Sequence, residues 1–541
     1  MTQGRDGELN GSLFDRGSSV GGPIKIESDQ IRLADLVKKN IIFGRPGTGK
    51  TASIVNVIAE YLKEGNKTDV LYLTYSRSMA KLARERLNLD KNTVGTIHSI
   101  ISRRLGWKKS NNPDESNFLS DDEVSEFAEH YGIKKVKAVR PWDEEQGEEE
   151  EEWSEFMLAY DAAKNRLPAV NVSSLLHDSR YDPDFIAEKY EELKAEKRKH
   201  DYTDILTRAL TLEFWPLDIL VVDEAQDLTP LMWAIVEKIA AVSRHVIYAG
   251  DDLQSIFKFR GADPSLFLAQ KEGAKVFHLR TSHRMPIEVK AVSDGVAERI
   301  SIKEDVEFLP NGTHGKFTNS SDINAILTMK GPRFILCRTN YVAMQVAQKL
   351  KERDIIFIPI NQRHQRLSPW STRLINLSNA INDWPDIPED LLYELLTEVP
   401  ASMLVRGAKT LAVKRDYKQL SEMMYEPLMM RKSATRLFKV EPTAEELVKS
   451  LSIPEEKKEL LLSHMGKRIG TDDVVKLDTY HSSKGLEAMS VGVVLDITRK
   501  VMESLEEDPD SELRNLYVAL TRSKENLVVM KLNIGGWSYD V

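Results

Sequence analysis

Eight consecutive residues, Gly44-Arg-Pro-Gly-Thr-Gly-Lys-Thr51, fit the pattern G-x-x-x-x-G-K-[ST]. They follow the apolar run Ile41–Phe43 and precede the helical stretch Ala52–Leu62. Strand, glycine-rich loop and helix in that order build a phosphate cradle. Glycines let backbone N–H groups wrap the phosphates, and the helix N-terminus adds its dipole. Gly44, Gly47, Thr48 and Gly49 are thus expected to line the cradle, Lys50 to reach the β and γ oxygens and Thr51 to bind Mg²⁺ through its hydroxyl. The expected cofactors are ATP and Mg²⁺.

A cradle of this kind needs a parallel sheet around it, and the sequence supplies strands in quantity. Asn40–Phe43, Val70–Leu73, Asp218–Val222, His245–Tyr248, Phe334–Leu336 and Val491–Leu495 are short, nearly continuous apolar runs separated by helical patterns. Runs of this type fit strands buried on both faces of α/β layers. The rhythm occurs twice, over roughly residues 24–285 and 286–541. Each half is interrupted by a charge-rich, mainly helical insertion, residues 108–197 and 366–470, the first with an expected helix from Asp184 to Arg198. The first 23 residues carry six Gly and no apolar period, so they are expected to form a mobile arm.

Composition fits a large soluble protein of about three or four domains: 541 residues, 41% hydrophobic and 29% charged. No apolar run approaches the ~18–20 residues of a membrane span, and the first 28 residues lack the apolar core of a signal peptide, so no membrane partner and a cytoplasmic location are expected. The single cysteine, Cys337, excludes an internal disulfide framework and reads as a small core residue. The net charge of −9 argues superficially against a nucleic-acid partner. Eight of the acids, however, fall within Asp143–Glu152, which leaves the rest of the chain near neutral and able to carry basic grooves. The acidic run itself reads as a solvated loop, or else as a protein-docking or DNA-excluding tail.

A second buried strand ends in Leu220-Val-Val-Asp223-Glu224-Ala-Gln-Asp227. An acid at the carboxyl end of a parallel strand projects over the sheet edge where ligands of α/β folds bind. Asp223 is placed to hold Mg²⁺ and Glu224 to orient an attacking water. The 173 residues from Lys50 to Asp223 far exceed one or two βαβ units of about 30 residues, which is why an insertion must lie between them.

Tyr248-Ala-Gly-Asp-Asp-Leu-Gln-Ser-Ile-Phe-Lys-Phe-Arg-Gly-Ala-Asp263 resembles the third motif of superfamily 1 helicases of the UvrD/Rep type. Other motifs match in order: Leu73–Ser76, Gly95–Ser99, Leu279–Arg284, Leu336–Asn340, Thr479–Glu487 and Leu516–Arg522. The resemblance implies two RecA-like P-loop NTPase domains with parallel sheets, each carrying a mainly helical inserted subdomain. These are 24–107 with 198–285 (1A), 108–197 (1B), 286–365 with 471–541 (2A) and 366–470 (2B). It also implies that Gln30 reads adenine, that His283 stands where the family usually stacks a tyrosine on the base, and that Glu487 contacts the sugar. By the same resemblance Gln254 senses the γ-phosphate, while Arg284 and Arg522 act as arginine fingers.

Single-stranded DNA is then expected to cross the top of both halves, where aromatic side chains stack bases without regard to sequence. Tyr75 and Phe259 match the family's aromatics, and Thr96, His98, Arg260, Asn340 and His481 fall where it touches the strand. Departures are Arg77 and Ser78 for the usual Asn-Lys, Leu253 for Asp and Ala488 for Phe. The expected activity is ATP-driven 3′→5′ translocation on single-stranded DNA with unwinding of tailed duplexes. The alternative is a DNA-stimulated ATPase serving as a sensor or as the motor subunit of a repair, recombination or defence nuclease complex, with a protein partner held through the acidic run or the insertions.

Overall fold

The apolar runs become strands whose side chains alternate between two buried faces. The computed structural model describes residues 31–541 except 64–68, 76, 111, 113–114, 134–151, 178, 361–370, 427–430, 467–468 and 470–473. The N-terminal arm, Gln30 and nearly all of the acidic run therefore lie outside the described residues.

The first sheet contains β1 (Lys39–Gly44), β2 (Val70–Thr74), β3 (Val94–Gly95), β4 (Leu217–Asp223), β5 (Ser243–Gly250) and β6 (Lys275–Leu279) in the order β3-β2-β4-β5-β1-β6. All of its pairings are parallel. On one face Ile41, Phe43, Leu71, Leu73, Leu220 and Val222 pack under the helices Ile97–Arg104, Tyr202–Ala209 and Pro230–Ala241. On the other, Ile42, Tyr72, Ile219, Val221 and Ile247 pack under Lys50–Lys63 and Arg77–Leu87. Each such aliphatic side chain contributes about 1.5–3 kcal/mol on burial. A one-residue slip would exchange the faces of a whole strand, so the alternation specifies the register.

The second sheet contains β7 (Lys316–Ser320), β8 (Arg333–Cys337) and β9 (Phe357–Pro359). After a short antiparallel pair, β10 (Tyr425–Glu426) and β11 (Arg431–Lys432), it is completed by β12 (Val475–Thr479), β13 (Ala488–Val494) and, beyond β14 (Asp496–Ile497), by β15 (Ser523–Met530). The order is β7-β15-β13-β8-β12-β9, again all parallel, and β14 pairs with β16 (Trp537–Ser538) at its margin. Cys337 is fully buried in β8, as a small core residue should be.

Each sheet carries a helical layer with its own core. Helices Asp121–His130, Glu152–Lys164 and Pro183–Lys197 enclose Phe127, Trp153, Phe156, Tyr160 and Tyr190. The expected 184–198 helix runs from 183 to 197 because Asp182 caps the Asp184 and Phe185 amides, Pro183 fits the first turn and Arg198 turns left-handed. Six further helices between Ser371 and Ser463 close around Leu377, Leu392, Leu395, Leu396 and Leu447. Strand order then sets the position of the site: β1, β5 and β4 are consecutive neighbours, so the loops at their carboxyl ends meet at one edge.

Candidate nucleotide and nucleic-acid site

The loop after β1 has the geometry of a phosphate cradle. Gly47 and Gly49 adopt φ of 77° and 84°, and a Cβ on Gly47 would stand 2.5 Å from Cβ of Arg284, so only glycine closes this turn. Thr48 Oγ1 donates to the Arg45 carbonyl at 2.9 Å, and buried Lys50 donates to the Gly44 carbonyl at 2.5 Å. The residues after β6 hold the loop from outside. Ser282 Oγ donates to the Pro46 carbonyl at 2.9 Å, and the His283 amide donates to the Gly47 carbonyl at 2.8 Å. The exposed His283 ring thereby stands beside Gly49.

β4 brings Asp223 to the same edge. Its Oδ2 accepts from Thr51 Oγ1 at 2.9 Å and from Tyr72 OH at 2.7 Å. Burial, and then the neighbouring Glu224 charge, pushes the Asp223 carboxyl up. A divalent cation would relieve that pressure, and the hydroxyl and carboxylate are hard oxygen donors of the type Mg²⁺ takes. The described residues contain no cluster of three His, Cys, Asp or Glu suited to a metal, but Mg²⁺ needs none where phosphates and waters complete its shell. Glu224 follows in left-handed backbone at φ 58° and accepts from Gln226 Nε2 at 2.6 Å. Burial raises its carboxyl, but Lys484, Lys50 and the Gln226 bond outweigh burial and hold it low, ionised and able to orient a water.

The second half reaches across to this edge. Arg522, 1% exposed, donates from Nη2 to Gln254 Oε1 at 2.8 Å, and Gln254 Nε2 donates to Asp251 Oδ2 at 2.6 Å. Burial, and then the Arg284 charge, pushes the Arg522 guanidinium down to about 9, which still leaves it cationic at neutral pH. Arg284 Nε donates to Glu487 Oε2 at 2.6 Å, and Lys524 pairs with the same carboxylate. The residue expected at the nucleotide sugar therefore also holds one of the two expected arginine fingers.

On the adjoining rim, aromatic and cationic side chains of both halves meet. Tyr75 stacks on Phe257 with centroids 4.7 Å apart, and Arg260 lies over Phe257 and Phe259 at 5.7 and 5.4 Å. Phe259, 46% exposed, meets His481 edge-on at 5.3 Å. His481 Nε2 lies 3.2 Å from the Ile256 carbonyl, and burial followed by the Arg338 charge pushes the ring down to about 3, so it is a neutral donor. Lys484 joins the two regions. It donates to the Gln254 carbonyl at 2.6 Å, pairs with Asp227 and lies 5.1 Å above Phe257.

Of the expected strand contacts, Tyr75, Phe259, Arg260 and His481 come together here. Thr96, His98 and Asn340 lie at neighbouring strand ends: Thr96 follows β3, which pairs with the strand leading to Tyr75, and caps the helix on which half-buried His98 lies, while exposed Asn340 begins the helix after β8, which pairs with the strand leading to His481. Arg45, Tyr72, Ser282, Phe257 and Lys484 belong to the site although sequence reasoning did not single them out. Arg45, Phe257, Ser282 and Lys484 stand within quoted motifs and Tyr72 within a quoted apolar run, which was their only signal.

The family model for the UvrD/REP helicase N-terminal domain matches residues 27–275, and the viral superfamily 1 RNA helicase core domain matches residues 413–531. The chain belongs to the UvrD/Rep type of superfamily 1 DNA helicase. It is similar to a probable DNA helicase II homolog of Mycoplasma pneumoniae, 24% identical over 91% of this chain and 82% of that protein. It is also similar to the ATP-dependent DNA helicase PcrA of Bacillus subtilis, 22% identical over 45% of this chain and 35% of that protein. One of the subunits of an ATP-dependent helicase/nuclease of Carboxydothermus hydrogenoformans is 31% identical over 41% of this chain and 21% of that protein. As a superfamily 1 helicase the chain is an ATP-hydrolysing enzyme that acts on DNA. Among the described residues no helix is long and apolar enough to cross a membrane.

Proposed function

We propose that this helicase translocates 3′→5′ along single-stranded DNA and unwinds tailed duplexes in the cytoplasm, using ATP with Mg²⁺. One observation carries the reading: Lys484 of the second half bonds the loop of Gln254 while lying over Phe257, so the hydrolytic edge and the aromatic rim share one side chain. In this reading residues 24–107 with 198–285 and residues 286–365 with 471–541 are the motor domains, and 108–197 and 366–470 are the inserted subdomains.

Lys50 and the cradle amides hold the phosphates, Glu224 orients the attacking water, and Gln254, Arg284 and Arg522 meet charge that grows at the γ-phosphoryl group. Gln30, His283 and Glu487 take the nucleoside. Mg²⁺ held by Thr51 and Asp223 would supply charge neutralisation on the phosphates. Tyr75, Phe259, Arg260 and His481 grip bases and backbone, with Thr96, His98 and Asn340 extending the track. Polarity rests on the family resemblance. ATP turnover should rise on adding single-stranded DNA, and a 3′-tailed duplex should be opened faster than a 5′-tailed one. Better opening of the 5′-tailed duplex would overturn the polarity, and turnover indifferent to DNA would overturn the track.

A second reading, the motor of a helicase–nuclease assembly, is supported by the likeness to a protein named as part of one. The acidic run or an inserted subdomain would then dock the partner. Co-purification with a nuclease tests it.

A further inference from the structure

The second position of the P-loop pattern requires no particular side chain, yet this chain places an arginine there and buries it to 5% exposure. Arg45 Nη1 donates to Asp251 Oδ1 at 2.7 Å and to Asp252 Oδ1 at 2.8 Å, and Nη2 donates to the Glu304 carbonyl at 2.5 Å. Burial alone would lower the guanidinium, but the two carboxylates outweigh it and keep the cation charged.

Asp251 is the hub of the hydrolytic edge. Its Oδ2 accepts from Gln254 Nε2 at 2.6 Å, and Gln254 in turn accepts from Arg522. Its amide donates to Gln226 Oε1 at 3.0 Å, and Gln226 donates to Glu224 at 2.6 Å. Asp252 leads elsewhere: its Oδ2 accepts from the Glu304 amide at 2.9 Å, and its carbonyl accepts from Arg514 Nε of the second half at 3.0 Å. A P-loop side chain is thus bonded directly to the group that aims both Gln254 and Glu224.

We propose that Arg45 is a positioning residue for ATP hydrolysis, fixing the Gln254 loop to the P-loop so that phosphate cradle, water-orienting carboxylate and γ-phosphate sensor keep one geometry. The inference rests on the hydrolytic roles proposed above for Gln254 and Glu224. A group acting through others differs from one that merely holds the fold: its loss lowers turnover more than nucleotide affinity, and the loss vanishes once its target is gone.

The test is a double-mutant cycle with saturating single-stranded DNA. Arg45→Lys keeps the charge but cannot reach Asp251, Asp252 and the Glu304 carbonyl together. Its affinity for a fluorescent ADP analogue should stay within about threefold of the parent while kcat falls about tenfold or more. In a Gln254→Ala background the same change should cost less than about twofold. Should Arg45→Lys melt early, Arg45→Gln, which keeps a donor for one carboxylate but loses the charged fork, takes its place, and the same outcomes apply. Parental kcat in the folded variant, affinity falling in step with kcat, or equal losses in both backgrounds would overturn the role of Arg45 alone. Undiminished turnover in Gln254→Ala would instead overturn the reading of the γ-phosphate side, and this inference with it.

Discussion

The Lys50 ammonium rests on the Gly44 carbonyl at 2.5 Å, inside the loop proposed to hold the phosphates. Removing that ammonium leaves the β and γ charges uncompensated, so Lys50→Ala should abolish ATP hydrolysis. Glu224→Gln keeps the shape of a residue whose partner is Gln226, so nucleotide should still bind while turnover is lost. Near-normal phosphate release by either variant would sink the assignment. Arg284 and Arg522 make a finer distinction, because in the proposed role they face charge that is greatest in the transition state. Turnover in Arg284→Ala and Arg522→Ala should fall by ~10³ or more, the range of arginine fingers, with a much smaller loss of ATP affinity. Equal losses of kcat and of affinity measured by equilibrium binding would show that the two arginines chiefly hold the halves together, as their bonds to Glu487 and Gln254 also permit.

The segment after β5 places Phe257, Phe259 and Arg260 along one short turn, and the exposure of Phe259 leaves its face open for the base stacking proposed above. Phe259→Ala removes about 1–3 kcal/mol of stacking per base from the track and leaves the phosphate contacts intact. Hydrolysis with saturating DNA should largely persist while base pairs opened per ATP fall severalfold, as read by paired ATPase and strand-displacement assays. At 46% exposure the ring should not incur the ~3–5 kcal/mol of a buried Phe→Ala change, so an early thermal melt would assign it to the core instead. Elements of this kind were legible in the sequence where local signals suffice. Apolar runs gave β1, β2, β4, β5, β8 and β13, and Asp182 with Pro183 set a helix start. Arg45 and Lys484 were not legible as site residues, because their partners Asp251 and Asp227 lie 206 and 257 positions away. Only the folded sheet order brings such pairs together, and a position left free in a motif carries no signal of its own.

Two halves that share one cleft need contacts that register their approach, and Lys484 supplies one of them at the hydrolytic edge. Its partner Asp227 is fully enclosed, with Oδ1 lacking any hydrogen-bond partner. Burial pushes that carboxyl up to about 7 even with Lys484 opposing it. Lys484→Met keeps the length of the side chain and removes the cation, which should destabilise the fold by about 3–5 kcal/mol. The loss should depend on pH with a definite sign. A carboxyl whose folded value lies above its unfolded one contributes stability that is fully present below the unfolded value and is lost as pH rises through the folded value. Without Lys484 that folded value moves higher still, so parent and variant lose stability in parallel up to about pH 7, and the gap in melting temperature should widen above it, where only the variant goes on losing stability. Adding Asp227→Asn should close most of the gap at pH 8 by removing the ionisable group. The double variant should nevertheless show little stimulation of ATP turnover by single-stranded DNA, because the bond to Gln254 and the contact with Phe257 are both gone. A melting gap that ignores pH would refute the buried-charge account, and normal DNA stimulation in the folded double variant would show that the halves communicate by another route.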